Sequence, residues 1–479
     1  MKKSLLAALL LGAATVAGFA PFEFSPLPFL TLALLFLLWR GAHSPRYAAL
    51  LGFAWGLGFF LTGVSWVYVS LHDIGGMALP LAATAALLFC AWLALFPALA
   101  GYAFKRLAAG SAWRDILLVA GLWMLSEWLR GWLLTGFPWL SLGYSQVGPS
   151  PLAGYAALFG SYGVGFVLAL IAALLAFGWW RWQSLILIVL LLASGSALKQ
   201  LQWTTATGEA VSVSLLQGNI PQSLKWDPAR VDLSFNTYRS LAQAHPAQLV
   251  VLPETAIPLL FGQIPRNYLE ELAGDHELLL GAAVRTGNNG YANTAQAINR
   301  DGPHGSYAKS HLVPFGEYVP PGFSWFFDWV KIPMTDFSAG TKQQKPIEVA
   351  NLKVALNICY EDLFGEEIIR QLPEATLLVN LSNTAWFGHS LAQPQHLQIA
   401  RMRAIETGRP MLRATNTGMT AMIEPDGSVS SALPAFVEDA LTVTVQGYSG
   451  ATPYVRIGNV GALLLAALAL IPALLRRKR

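Results

Sequence analysis

Residues 354–362 read Val354-Ala355-Leu356-Asn357-Ile358-Cys359-Tyr360-Glu361-Asp362, an apolar run that stops at a thiol and then turns acidic. A short apolar run with a polar boundary reads as a buried strand, and strand ends are where open α/β sheets present their reactive groups. Cys359 is one of two cysteines. The other, Cys90, sits in Leu87-Leu88-Phe89-Cys90-Ala91-Trp92, inside a stretch apolar enough for a membrane. The two are badly placed to pair, so Cys359 is expected as a free thiol. A lone cysteine is usually a small core residue. The polar turn beside this one favours a nucleophile.

Two further apolar runs end the same way. Leu249-Val250-Val251-Leu252-Pro253 delivers Glu254, and Tyr307-Ala308 delivers Lys309 ahead of Ser310-His311-Leu312-Val313-Pro314-Phe315-Gly316-Glu317. A charge after one strand is ordinarily a solvated turn. A carboxylate, an ammonium and a thiol after three strands form a coherent set. A thiol is only slightly ionised near neutral pH. A carboxylate such as Glu254 can take its proton, and a lysine such as Lys309 can stabilise first the thiolate and then the oxyanion of a tetrahedral intermediate. The backbone N–H of Tyr360, next to the nucleophile, is placed to be a second oxyanion donor.

The rest of the chain is far from an ordinary soluble composition: 54% of residues are hydrophobic, 12% are charged and 17 are Trp. Long, nearly charge-free windows lie near residues 4–20, 26–40, 48–70, 77–104, 115–136, 152–178 and 183–199, and an eighth near 457–475. Most reach the ~20 residues that a helix needs to cross a ~30 Å hydrocarbon layer. The 26–40 window is short. Between 203 and 450 charges return, apolar runs shrink to strand length, and Asn289-Gly290, Asp301-Gly302 and Asp426-Gly427 mark turns. These shifts divide the chain into a seven-helix membrane region at 1–202, an extramembranous domain at 203–450, and a last helix with a basic tail at 451–479.

Basic residues cluster in alternate loops: Lys2/Lys3, Arg40/Arg46, Lys105/Arg106/Arg114, Arg181 and Arg476-Arg477-Lys478-Arg479. The positive-inside rule then sets the N-terminus in the cytoplasm and residues 203–450 outside it. The net charge of +4 is thus a topology signal, and no nucleic-acid partner is expected. Lys2-Lys3 followed by an apolar run also has the form of a secretory signal peptide, but another apolar window follows at once, and retention as a first helix is the reading adopted.

The order Glu254, Lys309, Cys359 in these contexts resembles the nitrilase superfamily, whose αββα sandwich uses a Glu-Lys-Cys triad. Longer strings are similar to the membrane-embedded apolipoprotein N-acyltransferase family: Gln217-Gly218-Asn219-Ile220-Pro221-Gln222, His311 to Pro320, Cys359-Tyr360-Glu361, Ala400-Arg401-Met402-Arg403-Ala404 and Arg413-Ala414-Thr415-Asn416-Thr417-Gly418. In the membrane part, Gly63 to Ser70 and Gly136-Phe137-Pro138-Trp139-Leu140 agree. The resemblance covers essentially the whole chain. It implies eight transmembrane helices with a nitrilase-like αββα domain inserted between helices 7 and 8, in a bacterial inner membrane with the catalytic domain in the periplasm. It implies that Cys359 takes an acyl chain from a phospholipid as a thioester. The chain then passes to the α-amino group of a diacylglyceryl-cysteine on an apolipoprotein. Glu254 would act as base and then acid, and Lys309 as oxyanion stabiliser. Glu317 and Glu361 match supporting acidic positions, and Tyr360, between Cys359 and Glu361, is a further supporting residue. Trp226 and Trp386 match substrate-contacting aromatics. No cofactor or metal is implied, and a monomer is expected.

Some readings stay open. Trp226, in Ser223-Leu224-Lys225-Trp226-Asp227, fits a half-buried surface aromatic equally well. Phe323-Ser324-Trp325-Phe326-Phe327-Asp328-Trp329-Val330 suits a membrane-dipping arm or lipid-channel wall, or else a core helix. Glu127 and Arg130 read as a local ion pair near a helix end, or as a headgroup contact. Thr384 stands where the family often has Asp, which puts an electrostatic role there in doubt. A membrane-tethered amidase would use the same triad with water as acceptor. A transporter would leave the triad unexplained, and the helices carry few of the central ionisable residues expected along a pathway.

Overall fold

The computed structural model describes residues 2–225, 228–287, 290–322 and 336–475. Each apolar window folds as a helix because its residues have no polar backbone partner other than their own chain. The helices before the sheets are α1 (Lys2–Thr15), α2 (Leu27–Gly41), α3 (Pro45–Gly63), α4 (Leu79–Leu107), α5 (Ala112–Arg130), α6 (Ala156–Gly178) and α7 (Trp182–Lys199). Outward faces are apolar rather than charged: Leu88 and Leu99 on α4 and Val189 and Leu190 on α7 are exposed. This inside-out pattern is that of a lipid-facing surface. Helix α6 lies at the centre, buried almost throughout.

Among the described residues three helices are long and apolar enough to cross a membrane, or four if Pro45–Gly63 and Trp66–Ile74 count as one broken span. The window at 48–70 is therefore interrupted, with a 50° bend. Beyond the break, Ser70 Oγ donates to the carbonyl of Trp386 at 2.7 Å, so the second limb is drawn toward the sheet domain. Helix α1 has 14 residues and α2 has 15, both below full spanning length. The window at 115–136 also ends early. The Arg130 guanidinium at the end of α5 donates to the carbonyls of Phe137 and Trp139 and to Ser141 Oγ, which folds residues 131–141 back as a loop.

Helices in a membrane gain little from hydrophobic burial against one another, so close packing of small residues matters. A Cβ at Gly58 of α3 would come within 2.0 Å of the Leu9 carbonyl oxygen on α1, and one at Gly12 within 1.9 Å of the Trp55 oxygen. At one end of the bundle, Lys105 Nζ donates to the Arg40 carbonyl at 2.8 Å and Arg40 lies over the Phe177 ring. The Arg40 and Lys105 loops thus share an end.

The sheet domain runs from β1 (Thr204–Gln217) to β12 (Asp439–Gly450). The other strands are β2 (Leu249–Val251), β3 (Glu277–Arg285), β4 (Tyr291–Asn299), β5 (Gly302–Ala308), β6 (Ile347–Val349), β7 (Leu352–Ile358), β8 (Leu377–Ser382), β9 (Met411–Thr415), β10 (Ala421–Ile423) and β11 (Val429–Ala432). They form two six-stranded sheets, ordered β12-β1-β2-β3-β4-β5 and β11-β10-β9-β8-β7-β6. Strands β1-β2-β3 and β7-β8-β9 are parallel. Parallel strands are buried on both faces and read as continuous apolar runs. Alternate residues settle the layers. Val213, Leu215, Val251, Leu356, Val379 and Leu381 pack between the sheets. Leu216, Val250 and Leu278 face helices α8 (Val231–Ala244) and α9 (Arg266–Ala273). Ala355, Leu378 and Met411 face α10 (Ala392–Thr407). The layering is the expected αββα.

Helix α10 is buried on two sides. Leu397, Ala400 and Ala404 meet the sheet, whereas Ala392, Ile399 and Met402 join the core of the membrane bundle. Helix α11 (Val460–Leu474) then returns to the bundle beside α5, with Ala466 near Gly121. Replacement of Gly58 by Ala is expected to lower the thermal midpoint in detergent, corresponding to about 1–3 kcal/mol of overpacking. Gly41→Ala, where nothing lies within 4 Å of the added carbon, should leave the midpoint unchanged.

Candidate active site

Three strands from two sheets bring the predicted residues together. Glu254 follows β2 and is 8% exposed. Its Oε1 accepts from Asn293 Nδ2 at 2.6 Å and its Oε2 from the backbone N of Asn383 at 2.8 Å. The turn fits only because β3 carries glycine beneath it: a Cβ at Gly281 would lie 2.5 Å from the Pro253 oxygen. Lys309 is the first residue after β5, and its backbone N donates to the Asn293 carbonyl. Its Nζ lies 2.9 Å from Glu317 and 3.7 Å from Glu254 Oε1. Asn293 Nδ2 also reaches Glu317 Oε1 at 2.9 Å, so one amide holds both carboxylates around the ammonium.

Cys359 directly follows β7 and starts a tight turn, Cys359–Leu363, with φ of +52°. A non-glycine residue in that region costs roughly 1–3 kcal/mol and persists only where its surroundings hold it. Asn380 Nδ2 holds the Cys359 carbonyl at 3.2 Å, and Asn380 is itself bound to Asn357, Ser382 and Arg413. Glu361 secures the other side. Its carboxylate accepts from the backbone N of Ile358, Ser310 and His311 and from the hydroxyls of Tyr307 and Ser310. One buried side chain therefore joins the Cys359 turn to the Lys309 loop.

Burial pushes the Cys359 thiol well above its ordinary range; Glu254 adds to this and Lys309 opposes it. Burial pulls the Lys309 ammonium down, but Glu317 and then Glu254 outweigh it and hold Lys309 above the usual lysine range. The resting site therefore pairs a neutral thiol with a fixed ammonium. Nucleophilic chemistry there requires proton removal in concert with attack.

Tyr360 turns toward the membrane helices: its hydroxyl donates to the Gly136 carbonyl at 2.8 Å. His311 stacks on Phe364 at 3.8 Å and its Nδ1 faces Glu367 at 3.2 Å. Beyond that stack a cavity of about 260 Å³ opens among Trp132, Tyr162, Glu366 and Arg370; Cys359 does not line it. Trp386 is half-buried and bound through its carbonyl to Ser70; among the described residues it makes no hydrogen bond to Glu254, Lys309 or Cys359. Trp226 and the aromatic segment 323–330 lie outside the described residues.

One local reading changes and another gains a partner. Glu127 and Arg130 form no direct ion pair and face no lipid: both are buried, Glu127 accepts from the backbone N of Leu142, and Arg130 holds the 137–141 loop. The loop offered each a nearer partner than the other. Thr384 is fully buried, and its hydroxyl donates to the Gly418 carbonyl at 2.6 Å, a structural task within a turn. Asn293, Asn380, Asn383 and Lys225 escape the sequence reading. The only signal for Asn293 is an amide placed amid the small residues of Ala292-Asn293-Thr294-Ala295.

Family models match the two parts of the chain: the apolipoprotein N-acyltransferase N-terminal domain at residues 11–174 and carbon-nitrogen hydrolase at residues 212–454. The chain is 51% identical to an apolipoprotein N-acyltransferase of Nitrosomonas europaea over 96% of each sequence. It is 46% identical to one from Ralstonia nicotianae, over 98% of this chain and 93% of the relative. Among solved structures, it is similar to a carbon-nitrogen hydrolase from Helicobacter pylori G27, at 17% identity and a TM-score of 0.38, covering 56% of this chain and 95% of that one.

Glu361→Gln places two N–H groups where five donors converge. The expected result is a loss of about 2–4 kcal/mol, from unpaired buried donors. It should be read as a lower thermal midpoint together with slower alkylation of Cys359. An unchanged midpoint and alkylation rate would remove the clamp from the description of the site.

Proposed function

This chain belongs to the apolipoprotein N-acyltransferase family, and from that premise we propose how its residues carry out lipoprotein N-acylation. Glu254 takes the thiol proton as Cys359 attacks the ester carbonyl of a membrane phospholipid. Lys309 and the backbone N–H of Tyr360 stabilise the oxyanion. Collapse expels the lysophospholipid alkoxide, which recovers the proton from Glu254, and leaves a thioester on Cys359. The α-amino group of a diacylglyceryl-cysteine at an apolipoprotein N-terminus then attacks the thioester. Glu254 receives the amine proton and returns it to the departing thiolate, leaving an amide. Glu317 fixes Lys309, Glu361 fixes both turns, and Trp226 and Trp386 contact substrate. The supporting observation is the convergence of Glu254, Lys309 and the Cys359 turn from separate strands beside the membrane bundle.

The chain acts as a monomer in the bacterial inner membrane, with eight spans. Residues 1–202 form the first seven, 203–450 the periplasmic catalytic domain, and 451–479 the last span with its cytoplasmic tail. The gathering of the Arg40 and Lys105 loops at one end of the bundle supports this orientation.

Purified protein incubated with phospholipid should gain the mass of one acyl chain, removable by hydroxylamine. Cys359→Ala should show no gain and no transfer to a lipopeptide. Transfer by that variant would reject Cys359 as nucleophile. A reporter active only outside the cytoplasm should work when fused near residue 240 and fail after Arg479; the reverse pattern would reject the orientation.

A further inference from the structure

Among the described residues, the charges that act on the Cys359 thiol include Glu254, Glu317, Asp362, Lys309, Arg413 and Lys225. Two of the cations are committed. Lys309 is bound to Glu317 and lies beside Glu254, and Arg413 donates to Asp362 at 2.9 Å. The three carboxylates outnumber these two cations even before a thiolate forms. Among the described residues, Lys225 is the remaining one. It is 2% exposed, ends the short helix Gln222–Lys225, and donates from Nζ to the backbone carbonyl of Glu254 at 3.3 Å. Among the described residues that neutral carbonyl is the one hydrogen-bond partner of Nζ, so two of its N–H bonds remain available there.

We infer that Lys225 is the uncommitted cation of this site, which offsets the negative charge as the thiolate and then the tetrahedral oxyanion form. Lys309 donates to the oxyanion while its charge is shared with two carboxylates, and Lys225 adds the charge that this sharing withholds. The role is electrostatic: Lys225 gives up no proton, and the thiol proton still passes to Glu254. Its anchor is the backbone of the residue that serves as base, so cation and base hold a fixed separation. Burial lowers Lys225 to about 8, against the pull of Glu254 and Cys359, so at neutral pH it is mostly the ammonium. A new negative charge nearby raises that value and strengthens its protonation.

This deepens the proposed reaction and rests on Cys359 being its nucleophile, but its test needs no acyl donor. Full-length protein in detergent is alkylated with iodoacetamide across pH, and modification of the Cys359 peptide is followed by mass. Removing a nearby cation raises a thiol pKa. Lys225→Met should therefore move the alkylation profile to higher pH by about one unit, with roughly tenfold slower modification at pH 8. Neutralising a buried lysine also relieves its desolvation cost, so the variant should fold. Lys225→Gln keeps a donor to the Glu254 carbonyl without the charge and should match the Met variant. Lys225→Arg keeps the charge and should stay near wild type. In acyl transfer, the Met and Gln variants should lose turnover with little change in KM. Met and Gln profiles that superimpose on wild type would overturn the inference. So would a Gln profile matching wild type while Met alone shifts, since that assigns Lys225 a packing and hydrogen-bonding role only. Such results would leave a Cys359-dependent acyl transfer standing, so the two readings fail separately.

Discussion

The carboxylate of Glu361 is the constraint on which the site depends. Cys359 and Lys309 leave strands of different sheets, and sheet packing alone fixes neither turn. Glu361 accepts backbone N–H groups from the approach to Cys359 and from the loop after Lys309, so the two move as one piece. A buried carboxylate is expensive unless its lone pairs are filled. Here five donors fill them, and the same bonds that stabilise the charge set the geometry. Burial raises the Glu361 carboxyl above its usual range, and the three backbone donors and Lys309 hold it back.

A second consequence concerns the membrane bundle, which supports the site rather than merely anchoring it. Tyr360 follows Cys359 and binds the carbonyl of Gly136, in a loop whose shape Arg130 imposes from the end of α5. Trp139 of that loop donates to Gln395 on α10 at 2.7 Å and packs against His396. His396 in turn binds Asp362, three residues beyond the thiol, at 2.7 Å. The positive φ of Cys359 is thus held from the sheet side by Asn380 and from the membrane side by this chain of contacts. Strain of that kind survives where both sides are rigid.

What the sequence made legible follows from this construction. Glu254, Lys309 and Cys359 stand out because a charge or thiol directly after an apolar strand contrasts with its neighbours. The αββα layering is legible because doubly buried strands read as unbroken apolar runs. The helices at the apolar windows are legible for the same reason. The break after Gly63 is not, because it depends on Ser70 finding the Trp386 carbonyl, 316 residues away. Asn293 carries only a weak local signal, an amide among small residues, which is unremarkable until two carboxylates arrive from elsewhere in the chain. Glu127 and Arg130 mislead for the converse reason, since spacing on one helix shows only partners on that helix. Lys225 is hidden by Trp226, the more conspicuous neighbour, and by the rarity of buried lysines.

The electrostatics bear on why a thioester would serve as the carrier. A thiol held above its ordinary range gives a strongly nucleophilic thiolate once the proton is removed, and a poor leaving group once acylated. Both properties suit an enzyme that must keep an acyl chain from water until an amine arrives. The cost is that the thiolate cannot form unaided, which makes Glu254 and the surrounding cations obligatory in the proposed reaction. Fixing Glu254 by Asn293 and the Asn383 backbone N–H keeps its second oxygen from turning away between the two half-reactions. The same carboxylate must receive a proton and return it twice, so a base that could rotate out of line would strand the acyl-enzyme. In this arrangement the rigidity around Glu254 matters as much as its charge.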